Sequence, residues 1–142
     1  MVPDINYWAV MVATLSTMVV GSIWYTPKVF GAYWMKASGV VPSGDAKDAI
    51  GPIVATVIVS FITAWVLTGA AFIAFRFYGG SFLVSTIVTG VLLWGGFTAA
   101  RFITHDAFDR RPPGLTVLNI AHELVTVLVM ALILGVWPPA GV

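Results

Sequence analysis

An all-α membrane fold, four transmembrane helices in one bundle with a short interfacial helix in the first loop, is what this sequence predicts. Three observations lead there. Of 142 residues, 59% are hydrophobic and only 9% charged, with a mean hydropathy of +0.97; a soluble domain carries about 25% charged residues. Four apolar runs, Tyr7–Tyr25, Ile53–Phe75, Phe82–Ile103 and Leu115–Trp137, are long enough to span, since about 20 apolar residues cross a hydrocarbon core of about 30 Å. The breaks between them carry turn chemistry: Pro27, Gly79-Gly80, Pro112-Pro113 and Pro138-Pro139. Helices are expected because each satisfies its own backbone hydrogen bonds in lipid. One domain, residues 1–142, is the natural count.

The first run, Tyr7–Tyr25, lacks a basic flank, and YTPKVFGAYW after it has no small-x-small cleavage site, so a span rather than a signal peptide is expected. Pro27 ends it, because proline disfavours helical geometry in the residue before it. In KVFGAYWMKASG, Lys28 and Lys36 flank Val29, Phe30, Tyr33, Trp34 and Met35. Tryptophan and tyrosine favour the headgroup level, which predicts a short helix over Val29–Ala37 lying along the membrane. A loop capped by another subunit is the alternative. VPSGDAKDAIGP is the most water-like segment, with Ser43 placed to cap a short turn and Asp45 near its start. RFYGGS turns tightly at Gly79-Gly80 into the third span. Pro112 and Pro113 suit the start of the fourth helix, and Trp137-Pro138-Pro139 stops it.

Basic residues set the orientation. Lys28, Lys36 and Lys47 lie in the first loop and Arg110 and Arg111 in the third; the second holds only Arg76, and the tails hold none. By the positive-inside rule loops one and three face the cytoplasm, so both termini are expected outside a cell inner membrane. The net charge of +1 gives no reason to expect nucleic acid. There is no cysteine, hence no disulfide or thiolate metal site.

Two stretches resemble a known family. GSIWYTPKVFGAYWMK, Gly21 to Lys36, resembles the pattern G-x-W-Y-[ST]-P-x-x-F-G-x-x-W-M of the small bacterial membrane proteins called domain of unknown function 1761, and FDRRPPGLTVLN resembles the F-E-x-R-P…N segment ahead of their last helix. The match carries over Gly21, Trp24, Tyr25, Pro27, Phe30, Gly31, Trp34 and Met35, then Phe108, Asp109, Arg111, Pro112 and Asn119. The chain departs at Asp109, where the pattern has glutamate, and at His122, where it has an aromatic residue. The resemblance implies a four-helix fold and no established activity.

The chemistry would have to lie among polar groups within the spans. Asn119, His122, Glu123, Thr126 and Met130 form one helical stripe on the fourth run. Trp94, Thr98, Arg101 and His105 do so on the third, and Thr56, Ser60 and Thr63 on the second. Ala13, Thr17 and Gly21 offer a small-residue face for close helix packing. An ionised glutamate at a helix centre costs roughly 2.5–3.5 kcal/mol. Arg101, at matching depth across the third loop, is therefore the expected partner of Glu123. The expected cluster is Arg101, Asn119, His122, Glu123 and Thr98, either a clamp fixing helix register or a cytoplasmic-side pocket. His122 suits a proton relay or a hydrogen bond to a neighbouring helix. His105 and His122 with Glu123 make a poor metal set, since His105 falls near the membrane surface and no H-E-x-x-H spacing is present. No metal or cofactor is expected, and no nucleophile arrangement or phosphate loop is recognisable. Three readings follow: an oligomeric channel or transporter for a small solute or ion; an accessory or scaffold subunit of another membrane protein, docked through the aromatic first loop; and a membrane enzyme acting on lipid or quinone. The lipid bilayer and further copies of the chain are the expected partners.

Overall fold

A computed structural model describes residues 3–41, 44–45 and 47–142. Helix α1 (Tyr7–Trp24) begins at Asn6, whose side-chain oxygen accepts hydrogen bonds from the Trp8 and Ala9 amides at 3.1 and 3.2 Å. This satisfies two of the donors that every helix start leaves open. The Asn6 amide donates to the Trp137 and Pro138 carbonyls at 3.3 and 3.5 Å. Both chain ends therefore lie at one end of the bundle.

Beyond α1, Pro27–Gly31 form a single π turn leading directly into α2 (Ala32–Ser38). The expected short helix at Val29–Ala37 is thus present, entered through a wider turn. The Gly31 amide donates to the Thr26 carbonyl at 3.0 Å, the five-residue step of a π turn. Glycine is required at Gly31, because an added Cβ would overlap the Tyr25 carbonyl. Helix α2 stops at Gly39, whose φ of 73° is the left-handed cap that glycine adopts freely.

Helix α3 (Lys47–Tyr78) starts earlier than the expected Ile53. Asp45 caps it, its carboxylate accepting the Lys47 amide at 2.9 Å, and Pro52 removes one amide donor from the helix's second turn. Ser43, the expected cap of a short turn, lies outside the described residues. The third span comprises α4 (Phe82–Leu93), a second π turn at Trp94–Ala99, and α5 (Ala100–Phe108). Helix α6 (Pro113–Val136) opens with proline at its first position and ends before Trp137. Among the described residues four helices, Tyr7–Trp24, Lys47–Tyr78, Phe82–Phe108 and Pro113–Val136, are long and apolar enough to cross a membrane.

They form an up-down bundle in which each long helix packs on its chain neighbours and α6 closes the ring against α1. The core is built from small and medium residues: Ala9, Val10, Ala13, Ala64, Leu67, Val127, Met130, Ala131 and Leu134. Glycines let the helices approach. A Cβ on Gly90 would sit 3.0 Å from Val127, and one on Gly135 only 2.9 Å from the Leu83 Cα. Most of these contacts come from the start of α1 and the ends of α3 and α6, so the densest packing lies on the side of the termini and second loop. The half toward the first and third loops is looser, and the polar groups gather there.

Candidate functional site

A cavity of about 710 Å³ lies between α1 and α3, with α6 as its floor. Its hydroxyls come from Thr17, Ser22 and Tyr25 on the α1 side, Thr56, Ser60 and Thr63 on α3, and Thr126 on α6, where His122 and Glu123 join them. The Thr17 and Ser60 hydroxyls share a 3.0 Å hydrogen bond that ties α1 to α3. On the first-loop side of that tie, Gly21, Ser22 and Tyr25 face Ile53 and Thr56 across open space. Ile53 and Val59 are more than half exposed, so the cavity is a groove open on its flank.

His122 is the better enclosed of the two ionisable groups on the α6 side of the groove. Its side chain is 14% exposed, and Nδ1 lies 3.4 Å from Glu123 Oε1. That is close enough for a charge interaction but lacks hydrogen-bond alignment, and neither ring nitrogen has a hydrogen-bond partner. Aromatic rings surround it: Tyr25 at 4.9 Å between centroids and Trp24 at 5.8 Å. Trp24 in turn packs on Phe30 at 4.6 Å, and Tyr25 on Trp34 at 5.6 Å. The π turn at Pro27–Gly31 folds these rings back toward α6. The two stretches singled out in the sequence therefore meet in space, with the Tyr25 hydroxyl donating to Asn119 Oδ1 at 3.4 Å. Met35 contributes its carbonyl, which accepts the Gly39 amide at 3.1 Å.

Ala13 and Thr17 are buried inside the bundle. Gly21 faces His122, where an added Cβ would make only ordinary contact at 3.8 Å. This small-residue face thus packs within one chain.

The expected Arg101–Glu123 pair does not form. Arg101 is exposed; Glu123 lies against His122, and Arg111 pairs with Asp106 and Asp109. The second π turn is the reason. It takes up an extra residue, so every side chain beyond it moves one position around the axis. Buried positions run Phe82, Thr86, Gly90, then Ala99 and Asp106. Unbroken α spacing from Gly90 would have continued through Thr98 to Arg101 and His105; both of the latter are exposed. Thr98 lines a separate cavity of about 430 Å³ between α3 and α4, beside Trp94 and Phe97. Trp94 reaches α6, its indole N–H donating to the Ile120 carbonyl at 2.9 Å.

The buried carboxylate on the third span is instead Asp106, which lies outside the stripe of Trp94, Thr98, Arg101 and His105. It accepts a 2.7 Å hydrogen bond from the Thr116 hydroxyl and pairs with Arg111 at 3.6 Å. The available signal was Gly95-Gly96, a pair that marks helix irregularity.

Chemically, the groove offers one carboxylate, one imidazole and a set of oxygens on an apolar bed. Among the described residues no three His, Cys, Asp or Glu side chains gather as a metal site.

Fold and site together define an all-helical protein with four helices of membrane-crossing length and apolarity, and an acceptor-rich groove between three of them. The chain belongs to the family described as "Protein of unknown function (DUF1761)", whose sequence profile matches residues 8–135. No curated protein and no solved structure matches it.

Proposed function

We propose that this chain is a multi-pass membrane protein that binds a small solute in the α1–α3–α6 groove and moves it across the bilayer. What carries the reading is the convergence of His122, Glu123 and Thr126, polar groups within one of the most apolar helices, on hydroxyls from two other helices around one cavity. Intramembrane ionisable residues mark solute and ion pathways by default, and the volume falls in the range of about 300–1,000 Å³ typical of small-molecule sites.

The packed core on the far side of Thr17 and Ser60 closes the path, which favours a carrier that opens alternately over a standing channel. The excess of lysine and arginine in loops one and three supports a groove mouth on the cytoplasmic side and both termini outside. The open flank between α1 and α3 is suited to completion by a second copy, which makes an oligomer the expected working form.

The test is shrink–swell light scattering of proteoliposomes with a panel of small neutral, cationic and anionic solutes. At least one class should re-enter faster than into protein-free liposomes, and Gly21→Leu, whose side chain would fill the groove beside His122, should slow it. If no solute enters faster with the native chain, transport is excluded and an accessory role without turnover takes its place.

A further inference from the structure

We propose that the solute class taken by the groove is a protonated amine carrying an apolar body; this rests on reading the groove as a solute site. The argument is a count of hydrogens. A hydroxyl has one proton to donate and two lone pairs to accept with. Of the lining hydroxyls, those of Thr17, Ser22, Tyr25, Thr56 and Thr63 already have their protons committed; Ser60 and Thr126 stand outside this count. Thr17 donates to the Thr14 carbonyl at 2.8 Å, Ser22 to Val19 at 2.9 Å, Thr56 to Pro52 at 2.8 Å and Thr63 to Val59 at 3.0 Å. The Tyr25 proton points at Asn119. What these residues present to the groove is therefore lone pairs, which attract N–H donors and repel anions.

Charge points the same way. Among the described residues Glu123 is the one acidic lining residue and no lysine or arginine lines the cavity; the single basic group there is His122, against Glu123. The hydroxyl of Thr126, a residue 7% exposed, has no hydrogen-bond partner and sits in the same lining. A buried polar group without a partner is costly, and a ligand reaching Glu123 would satisfy it. The ring of Tyr25, which lines the groove beside His122, supplies a face that favours a cation. Met18, Ile53, Val59, Val127 and Met130 offer an apolar bed for the rest of the molecule.

The experiment is equilibrium dialysis of the full chain in phosphatidylcholine nanodiscs, with empty nanodiscs subtracted, against 2-phenylethylammonium, its N-trimethyl analogue, 2-phenylethanol and 3-phenylpropionate. The ammonium should bind at least tenfold tighter than the alcohol. The N-trimethyl ion, which has the charge without donors, should be weaker than the ammonium, and the carboxylate weakest. Glu123→Gln should remove the ammonium's advantage while leaving alcohol binding in place, and Thr63→Val should weaken the ammonium several-fold. Carboxylate binding as tight as the ammonium, or ammonium binding unchanged in Glu123→Gln, would overturn the amine assignment and leave the solute groove standing. Absence of binding by all four probes, whatever their charge, would remove groove and assignment together. The preference of the native chain among the four is decisive even if a variant fails to fold.

Discussion

Gly31 and Glu123 show how a single position departs from what its residue type suggests. Glycine to alanine inside a helix usually stabilises, by about 0.8–1 kcal/mol. At Gly31 the sign should reverse, because the new methyl meets the Tyr25 backbone and not a flexible side chain. Thermal unfolding in detergent should place Gly31→Ala about 1–3 kcal/mol below the native chain. Gly69→Ala, on α3 with nothing within 4 Å, should be neutral or slightly stabilised. Glu123 is the opposite case. A buried clamp with Arg101 would make Glu123→Gln destabilising by about 3–5 kcal/mol. With a carboxylate 37% exposed and its ion-pair contact among the described residues only with His122, the loss should stay under about 1 kcal/mol. A large loss would show that Glu123 has a structural partner after all.

At the scale of the element, the π turn at Trp94–Ala99 decides which residues of α5 matter to the fold. Asp106→Ala strands the Thr116 hydroxyl inside the bundle and should cost about 1–3 kcal/mol. Arg101→Ala, on the exposed side of the same helix, should stay within about 0.5 kcal/mol. Deleting Gly96 should restore plain α spacing and rotate α5 by about one residue, or roughly 100°. Asp106 would then leave Thr116, and the deletion should be at least as damaging as Asp106→Ala in the same unfolding assay. If Arg101→Ala proved the more harmful substitution, this account of the turn would fail.

For the whole molecule, the packed half and the open half make separate predictions. Gly135→Ala forces α6 away from Leu83 in the packed half. It should lower stability by about 1–3 kcal/mol, visible as a lower unfolding midpoint. Gly21→Leu in the open half should leave the midpoint near native, since its neighbour is a groove. The proposed orientation is checked by cysteines at positions 45 and 80, a clean design in a chain without native cysteine. A membrane-impermeant thiol reagent should label them from opposite faces, position 80 from outside. Labelling of position 80 from the cytoplasm alone would invert the topology.

The amino-acid sequence made the helices and their order legible, because long apolar runs and proline or glycine stops act locally along the chain, and its Gly21–Lys36 and Phe108–Asn119 stretches carried the family. It also determined that Asn119, His122, Glu123 and Thr126 share a face, since that needs only α-helical spacing within one unbroken helix. Only the tertiary structure decided what that face meets. Pairing Glu123 with Arg101 required the spacing of the third span to hold through Trp94–Ala99, and one extra residue in that turn exposed Arg101 and buried Asp106. The same applies at Pro27–Gly31, where a second wide turn brings Phe30 and Trp34 against Trp24 and Tyr25, the rings beside His122. A π turn has no periodic signature in sequence, because its five-residue step is stabilised by contacts with neighbouring helices, among them the Trp94 bond to Ile120. The groove is likewise a property of three helices at once: it exists where the small residues that close the core at Ala9, Ala13 and Ala64 give way to rings and hydroxyls.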